Sequence, residues 1–309
     1  MLSGNLDVTV LGAAAVDLVA QVTRLPEVDE MVFAREYDRF AGGSGANIAV
    51  GLAKLGRETA FLGELGDDGS GKWLLENLNL AGVNTQYIQI VEGGQSASCF
   101  IALDPKGDRV IFALGGTALI GNVEGLDFST ISGSRVLCIC DAYIAVAAAA
   151  AEAARQSGTA VFFIPGGLMV SYELERLHPI LKNTKILVVS KGEADMLVGD
   201  NPPLKAAQLL QETGPEIAVI TLGAKGAVLA SRDNKEMVSS FNNMGVRDTT
   251  GAGDAFTAGL IHAFLKGRDW KKAVAIGNAV AAMKIKHLGA SNGLPNRGEL
   301  ETFMKTRGV

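Results

Sequence analysis

The sequence predicts an α/β fold in three layers, with a mostly parallel central sheet covered by helices on both faces and a small β-sheet lid. From Val136 to Lys286, apolar strand segments alternate with helical segments, which is typical of a parallel sheet whose two faces are covered. Two short strand patterns, 97–103 and 109–113, predict a hairpin. We expect one domain over residues 1–309, with the lid formed by insertions at about 17–41 and 93–116.

The chain opens with a short apolar strand at 6–11, and residues 19–40 are irregular in pattern and leave the main sheet. The glycine-rich segment 41–47 precedes a helix at 48–55, which ends at Gly56, a residue suited to the position just after a helix. Further strands are predicted at 59–63, 87–91, 97–103, 109–113, 136–140, 159–164, 186–189, 217–221 and 227–231. Further helices are predicted at 73–80, 142–156, 172–181, 193–198, 204–213, 255–266 and 270–286.

Composition argues against several classes of function. A hydrophobic fraction of 48% and a net charge of −5 describe a globular protein without a general affinity for nucleic acid or anionic membranes. The N-terminus lacks the regions of a signal peptide, and no apolar run reaches membrane-spanning length, so we expect a cytoplasmic protein. Three cysteines do not suggest a disulfide framework, and Cys138 and Cys140, on one face of a strand, are interpreted as core residues.

The segment Asp248-Thr-Thr-Gly-Ala-Gly-Asp254 gives the strongest indication of chemistry. Gly251 and Gly253 leave backbone amides accessible where a helix begins, and a helix N-terminus offers free N–H groups and the positive end of the helix dipole. Asp254 adds a carboxylate that would repel a bound phosphate unless it has a second task, such as taking a proton from a nucleophile. The segment therefore predicts an anion site combined with a general base.

The segment Ala41-Gly-Gly-Ser-Gly-Ala-Asn47 predicts a loop that lets a small polar ligand approach the backbone. Asn47 offers a donor and an acceptor, and it is equally suited to capping the helix that follows. The loop lacks the third glycine of a dinucleotide fingerprint, which disfavours a nicotinamide-dependent oxidoreductase. Residues 66–73 nearly match the sequence motif of a Walker phosphate loop, but Trp73 replaces the Ser or Thr that would bind magnesium. A capped helix start is therefore the better interpretation.

Together these segments resemble the two signatures of the ribokinase-like (PfkB) carbohydrate kinases. Residues 42–47 come early and residues 248–254 late, in that family's order and interval, and the resemblance extends over essentially the whole chain. Gly66-Asp-Asp is similar to an internal turn of the family, and 221–226 (Thr-Leu-Gly-Ala-Lys-Gly) is similar to its nucleotide-edge loop. The resemblance implies a ribokinase-like fold and ATP-dependent phosphorylation of a hydroxyl on a sugar or a sugar-containing molecule.

The resemblance also implies catalytic and substrate-binding roles. Asp254 would be the base that deprotonates the attacking hydroxyl, and the amides of the residues just before and at Asp254 would hold the transferring phosphoryl group. Asp141 could equally be an ordinary charge at a strand end. The implied catalytic residues are Asp254, Gly251, Ala252 and Gly253, and the implied substrate-binding residues are Asp17, Gly42, Gly43, Asn47, Asp141 and Asp254.

ATP and cations have implied positions as well. Glu193 is expected to organise Mg²⁺ through water, and Asp248 and Thr250 to line a site for a monovalent cation such as K⁺. Asp248 could instead only cap a turn, and Asn278 could only be a polar residue on a helix face. The implied nucleotide-binding residues are Ser190, Thr221, Gly223, Gly226, Gly251, Gly253 and Asn278.

Three positions depart from the family's pattern and leave the acceptor open. Ser190 replaces the asparagine of the magnesium motif, while Ala15 and Ser44 replace an asparagine and a lysine found in ribokinases. The loss of those two polar contacts argues against free ribose. The apolar segment 13–16 suggests an apolar pocket wall, so a nucleoside kinase of the same fold is one alternative. A catalytically silent sugar-binding regulator is another.

The predicted hairpin is rich in apolar side chains. A small sheet of this kind often buries an apolar face against a partner, so we expect a homodimer formed through the lid. The side chains that carry this expectation are Phe100, Ile101, Val110, Ile111 and Phe112.

Overall fold

The computed structural model describes residues 6–105, 108–241 and 244–308, and in these ranges the chain forms two β-sheets flanked by helices. The strands are Leu6–Leu11 (β1), Ala15–Val22 (β2), Ala34–Gly42 (β3), Thr59–Gly66 (β4), Ile88–Val91 (β5), Ser98–Leu103 (β6), Arg109–Gly115 (β7), Ser134–Ile139 (β8), Ala160–Phe163 (β9), Ile186–Ser190 (β10), Ile217–Thr221 (β11), Ala227–Ser231 (β12) and Lys235–Val238 (β13).

The helices account for most of the remaining chain. Helix α2 begins after Asp68, whose carboxylate accepts a hydrogen bond from the N–H of Gly71 at 2.7 Å, so the capped helix start predicted for this segment is confirmed. The helices are Ser44–Lys54 (α1), Gly69–Leu80 (α2), Phe128–Ser132 (α3), Ile144–Ser157 (α4), Gly166–Val170 (α5), Leu174–Leu181 (α6), Lys191–Val198 (α7), Pro203–Glu212 (α8), Ala252–Leu265 (α9), Trp270–Lys284 (α10) and Arg297–Arg307 (α11).

The larger sheet has nine strands in the order β13-β12-β11-β10-β9-β8-β1-β4-β5. Only β12 pairs antiparallel with its neighbours, so the predicted mostly parallel sheet is confirmed. The carboxyl ends of parallel strands lie at one edge of a sheet, where open α/β folds bind their ligands. This arrangement brings the segments that follow β1, β8, β10 and β11 to the same edge.

Alternate residues of the central strands face opposite layers, which explains the predicted three-layer packing. On one face, Val8 and Val10 of β1 pack in a fully buried cluster with residues of α1, α9 and α10. On the other face, Leu11 packs in a second cluster with residues of α4, α6 and α8. Cys138 and Cys140 are free and buried with their sulfur atoms 3.7 Å apart, as expected for core residues.

The smaller sheet is the predicted lid, with strands in the order β3-β2-β6-β7. The sequence predicts an irregular segment at 19–40, and this prediction is wrong for half of it, because residues 19–22 belong to β2 and residues 34–40 to β3, which pair antiparallel. Strand β3 is charged and largely exposed, so its sequence lacks the apolar alternation that marks a half-buried strand. Asp17, which follows the first strand along the chain, lies within β2.

The elements that were not predicted also include β13 and α11. Strand β13 is short and lies at the sheet edge, while α11 is a polar helix in which only Leu300 is fully buried. Neither has the apolar periodicity on which the sequence predictions depended. Within the ranges that the structure describes, no helix combines the length and the apolar character needed to cross a bilayer.

Candidate active site

Helix α9 begins at the two glycines of the segment 248–254. Gly251 precedes the helix in the left-handed conformation (φ 75°), and a Cβ atom there would lie 2.3 Å from the carbonyl oxygen of Ala290. A Cβ atom at Gly253 would meet no atom within 4 Å. Gly251 is therefore required by the fold of the protein itself, whereas Gly253 leaves open space beside the helix terminus.

The first turn of α9 leaves some of the donors that are expected to bind an anion without a partner in the described part of the protein. The N–H of Ala252 donates to the carbonyl oxygen of Thr249 at 3.1 Å, so the expectation that Ala252 contributes a free amide is wrong. The N–H groups of Gly253 and Asp254 have no acceptor within the helix, as is general for a first turn, and none among the other described residues. These two donors lie next to the carboxylate of Asp254.

The carboxylate of Asp254 is held by helix α1. Ser44 Oγ donates to Asp254 Oδ1 at 2.5 Å, and Asn47 Nδ2 donates to Asp254 Oδ2 at 2.8 Å. Burial raises the pKa of Asp254, while these two hydrogen bonds oppose the rise. The two sequence segments singled out above, more than 200 residues apart, thus meet through these side chains. Ser44 was noted only as a departure from the family pattern, and its contact with Asp254 was not predicted.

Asn47 does not cap helix α1, because the residue at the cap position is Gly43, and that helix has no side-chain cap. Besides the bond from Nδ2 to Asp254, Asn47 has a buried Oδ1 atom without a hydrogen-bond partner among the described residues. A buried acceptor left unpaired is costly and suits a position that a ligand completes. Gly43 (φ 89°) approaches Ala13 so closely that a Cβ atom would lie 2.6 Å from its carbonyl oxygen.

Two further carboxylates face the same region. Asp17 lies against Gly42, where a Cβ atom would be 2.1 Å from Asp17 Oδ2, and Asp141 lies just after β8 against Gly166. Burial raises the pKa of each of these carboxyls to about 6, and the negative charge of Asp254 adds to both shifts. Asp17 and Asp141 therefore each lie within electrostatic reach of Asp254.

A cavity of about 300 Å³ adjoins the N-terminus of α9, where Thr249, Ala252 and Gly253 line it. Asn278 donates through Nδ2 to the carbonyl oxygens of Val238 and Ser239, both at 3.2 Å, so its amide also anchors the end of β13. Five of the seven predicted nucleotide residues line this cavity, namely Thr221, Gly223, Gly226, Gly253 and Asn278, whereas Ser190 and Gly251 do not. Apolar side chains complete the lining and include Phe241, Met244, Val246, Phe256 and Ile285.

Ser190 and Glu193 lie at the start of α7, where they cap each other. Ser190 Oγ accepts a hydrogen bond from the N–H of Glu193 at 3.2 Å, and Glu193 Oε2 accepts one from the N–H of Ser190 at 2.6 Å. The charge of Glu193 contributes to the raised pKa values of Asp141 and Asp254, so it lies within electrostatic reach of the cleft. Among the described residues, no group of three or more His, Cys, Asp and Glu side chains could hold a metal ion. One carboxylate at this position fits Mg²⁺ that arrives with phosphates and keeps its waters.

Asp248 begins the loop that leads into α9. Its Oδ1 accepts a hydrogen bond from the N–H of Thr250, and its Oδ2 accepts one from the N–H of Gly289, both at 2.8 Å. The side chain therefore fixes the turn, as one interpretation of the sequence proposed. Lys284, which the sequence analysis overlooked, is fully buried with its Nζ atom 3.2 Å from the carbonyl oxygen of Asp248.

The sequence matches the family model described as "pfkB family carbohydrate kinase" over residues 5–297. The chain belongs to this family. A ribokinase of Haemophilus influenzae is 27% identical over 305 residues, which cover 96% of this chain and 98% of that relative. The structure of Arabidopsis thaliana ribokinase complexed with ribose and ATP matches with a TM-score of 0.87 at 26% identity, covering 97% of this chain and 99% of that chain. A nucleoside kinase of Methanocaldococcus jannaschii matches with a TM-score of 0.83 at 25% identity, covering 97% and 98%.

Membership in the family assigns the reaction class. The protein is an ATP-dependent carbohydrate kinase with the ribokinase-like fold. Its large mixed sheet, its helices on both faces and its small lid agree with the solved ribokinases.

Proposed function

We propose that Asp254 is the general base of this kinase and that the first turn of α9 is its anion hole. The observation that carries the proposal is the position of Asp254, held by Ser44 and Asn47 at the same helix terminus that borders the nucleotide-sized cavity. A carboxylate whose pKa is raised by burial is a stronger base than an exposed one. The acceptor hydroxyl would give its proton to Asp254 as it attacks the γ-phosphorus of ATP.

The N–H groups of Gly253 and Asp254 would stabilise the negative charge of the transferring phosphoryl group. Such donors act through their positions and neither form nor break covalent bonds, because phosphoryl transfer depends mainly on alignment and charge stabilisation. The open space beside Gly253 supports this role, since a phosphate could approach the helix terminus there without meeting a side chain. ATP would lie in the adjoining cavity, with its base between the segment 221–226 and the helix α10 that carries Asn278.

Mg²⁺, when bound with ATP, neutralises phosphate charge during transfer. We infer that Glu193 holds it through water. Ser190 would serve mainly as the helix cap that orients Glu193, because the two side chains bond each other's backbone. A serine here preserves the capping box, so the replacement of the family's asparagine is compatible with a functional magnesium position.

The acceptor site would recognise several neighbouring hydroxyl groups. Asp17, Asp141 and the unpaired Oδ1 of Asn47 are hydrogen-bond acceptors, and sugar hydroxyls are donors that would satisfy them. Neither Asp17 nor Asp141 donates or accepts a side-chain hydrogen bond among the described residues, so each is available to a ligand. This pattern favours a polyhydroxylated sugar as the substrate class.

A nucleoside is the second candidate, supported by the likeness to the nucleoside kinase of M. jannaschii. Of residues 13–16, which suggested an apolar pocket wall, Ala14, Ala15 and Val16 are 0%, 8% and 3% exposed, and Ala13 is partly exposed. Only Ala13 among them therefore offers appreciable surface for a base to contact, which weakens the case for a nucleoside.

A panel of acceptors measured by ADP release tests the proposal. Free sugars, ketosugar acids and nucleosides should be compared with ATP and Mg²⁺ present, and the Asp254→Asn variant should lose at least about a hundredfold in kcat with the best acceptor while calorimetry shows binding retained. Asp233→Asn, an exposed change, is the matched control. A variant at Asp254 that keeps near wild-type kcat would exclude this residue as the base.

We also propose that the lid mediates a homodimer. Its apolar side chains Phe100, Val110, Ile111, Phe112 and Leu114 are 38–61% exposed, whereas Ile101 is only 6% exposed, so the expectation that Ile101 joins the interface is wrong. Exposed apolar side chains grouped on one small sheet are typical of an interaction surface. Light scattering should give a dimer that Phe112→Lys converts to a monomer, and a wild-type monomer at micromolar concentration would refute it.

A further inference from the structure

The buried lysine at the end of α10 occupies an unusual position. Lys284 is 0% exposed, and a lysine is almost never fully buried unless its charge is paired. Its Nζ atom lies 3.2 Å from the carbonyl oxygen of Asp248 and 4.0 Å from Asp248 Oδ2. Both of these oxygen atoms belong to Asp248, the residue expected to begin a monovalent-cation site.

The residues present do not fit a second cation at Asp248. A bare monovalent cation needs oxygen ligands such as the carbonyl and carboxylate of Asp248, and Nζ of Lys284 already lies against both. Two positive charges within a few ångströms in a buried region repel strongly, because little solvent screens them. Lys284 and a monovalent cation are therefore alternatives at this loop.

The loop that Lys284 contacts leads directly to the proposed anion hole. The N–H groups of Arg247 and Asp248 donate to the carbonyl oxygen of Ile285, so the loop is also anchored to the end of α10. Asp248 then bonds the N–H of Gly289, and Ala290 packs against Gly251 at the start of α9. A change at Lys284 would be transmitted to the first turn of α9 through these contacts.

Electrostatics agrees with this geometry. Burial raises the pKa of Asp254, and the positive charge of Lys284 is among the groups that oppose the rise. Burial likewise acts to raise the pKa of Asp248, but hydrogen bonds from Thr250 and Gly289 and the charge of Lys284 outweigh it and lower that pKa. The lysine thus stabilises negative charge both in the loop and at the site.

We propose that the ammonium group of Lys284 is a built-in cation that replaces a monovalent metal ion at the Asp248 loop, so that this kinase needs no K⁺. Lys284 is a positioning residue: it holds the loop 248–251 and thereby the donors at the start of α9. The inference rests on the proposed role of that helix terminus in phosphoryl transfer.

The first experiment uses the wild-type protein. ADP release with the best acceptor, calorimetric ATP binding and the melting temperature should be measured in KCl, NaCl and tetramethylammonium chloride at equal ionic strength. We expect kcat and the ATP affinity to agree within twofold and the melting temperature within 1 °C across these salts. A fivefold or larger activation by K⁺, or tighter ATP binding in K⁺ alone, would overturn the proposal.

The second experiment removes the built-in charge. Lys284→Met should lower kcat at least tenfold in tetramethylammonium, and K⁺ or NH₄⁺ should restore part of kcat and raise the melting temperature of this variant but not of wild type. Lys286→Met, an exposed change two residues away, is the control and should behave as wild type in every salt. If all salts restored the kcat of Lys284→Met equally, or if no salt restored it in folded protein, the role of Lys284 as a built-in cation would be refuted.

These outcomes are separable from failure of the proposed function. If no acceptor is turned over, calorimetric ATP binding and the melting temperature still report the response of the loop to cations. If Lys284→Met does not fold in tetramethylammonium, its recovery of a cooperative melting transition in K⁺ supports the proposal, and failure to fold in every salt contradicts it. The wild-type comparison decides the K⁺ requirement in either case.

Discussion

Replacing Asp17 by asparagine should make the ligand-free protein more stable at pH 8. Asp17 is 9% exposed, and burial together with the charge of Asp254 raises its pKa from 3.8 to about 6. A difference of one pKa unit corresponds to about 1.4 kcal/mol, so the ionised carboxylate costs the folded state about 3 kcal/mol. The asparagine side chain would occupy almost the same volume without that charge. The expected gain is a rise in Tm of roughly 5 °C for a chain of this size.

The pH dependence distinguishes this effect from ordinary repacking. A carboxyl group whose pKa is higher in the folded state than in the unfolded state binds its proton more tightly when folded. The cost is therefore absent below about pH 4, develops as the pH rises from 4 to 6, and is complete above about pH 7. The difference in unfolding free energy between Asp17→Asn and wild type should follow the same course and vanish near pH 4.

The measurement is urea denaturation or calorimetry of both proteins at pH 4, 6 and 8, with exposed Asp233→Asn as control. The stabilised variant should also lose most of its affinity for the acceptor, since Asp17 is a proposed acceptor of hydrogen bonds from sugar hydroxyls. If Asp17→Asn were no more stable than wild type at pH 8, or if its gain in stability persisted at pH 4, the ionised carboxylate of Asp17 would not be the cause of the lower stability of the wild-type protein.

Three further outcomes are expected. Gly253→Ala should fold with normal stability but raise the KM for ATP at least tenfold. Gly251→Ala should lose stability, because its Cβ atom meets Ala290 and its φ is positive. Equal losses in Tm for the two variants would contradict this contrast. Asn47→Leu removes a hydrogen bond that lowers the pKa of Asp254, so the acidic limb of the kcat/KM profile should move to higher pH; an unmoved limb would argue against the contact. Burial lowers the pKa of His262 to about 3, so its NMR shifts should not titrate between pH 5 and 8.

The layers of the fold could be predicted because they depend on local patterns. Strands β8 and β10 contain continuous apolar runs, at 136–139 and 186–189, and the helices between them repeat apolar residues at helical spacing. The lid was predicted only in part. Its hairpin β6–β7 has strand-forming residues. Strand β3 (Ala-Arg-Glu-Tyr-Asp-Arg-Phe-Ala-Gly) is largely exposed, so its sequence lacks the apolar alternation that would identify it as a strand. Strand β3 forms by pairing with β2, and the sequence of a single segment does not show which other strand it pairs with.

Individual contacts at the site depended on tertiary structure. The sequence identified Asp254 and Asn47 as site residues but left Asn47 undecided between a cap and a ligand contact. The fold places α1 beside α9, and Asn47 then bonds Asp254 instead of the helix terminus. Lys284 could have been noticed, since it lies four residues after the buried Val280 and seven after the buried Gly277, on the buried face of α10.

The sequence by itself indicated the kind of reaction, because the proposed base and the proposed anion-binding donors lie together in one continuous segment, 248–254, whose glycines and helix start are local features. Only the tertiary structure decided what surrounds that segment. Ser44, Asp17, Asp141 and Lys284 all lie on other elements, far from it along the chain, and their burial and mutual charges exist only once the sheet and helices pack. Desolvation and pairing act through space, so no spacing in the sequence encodes them.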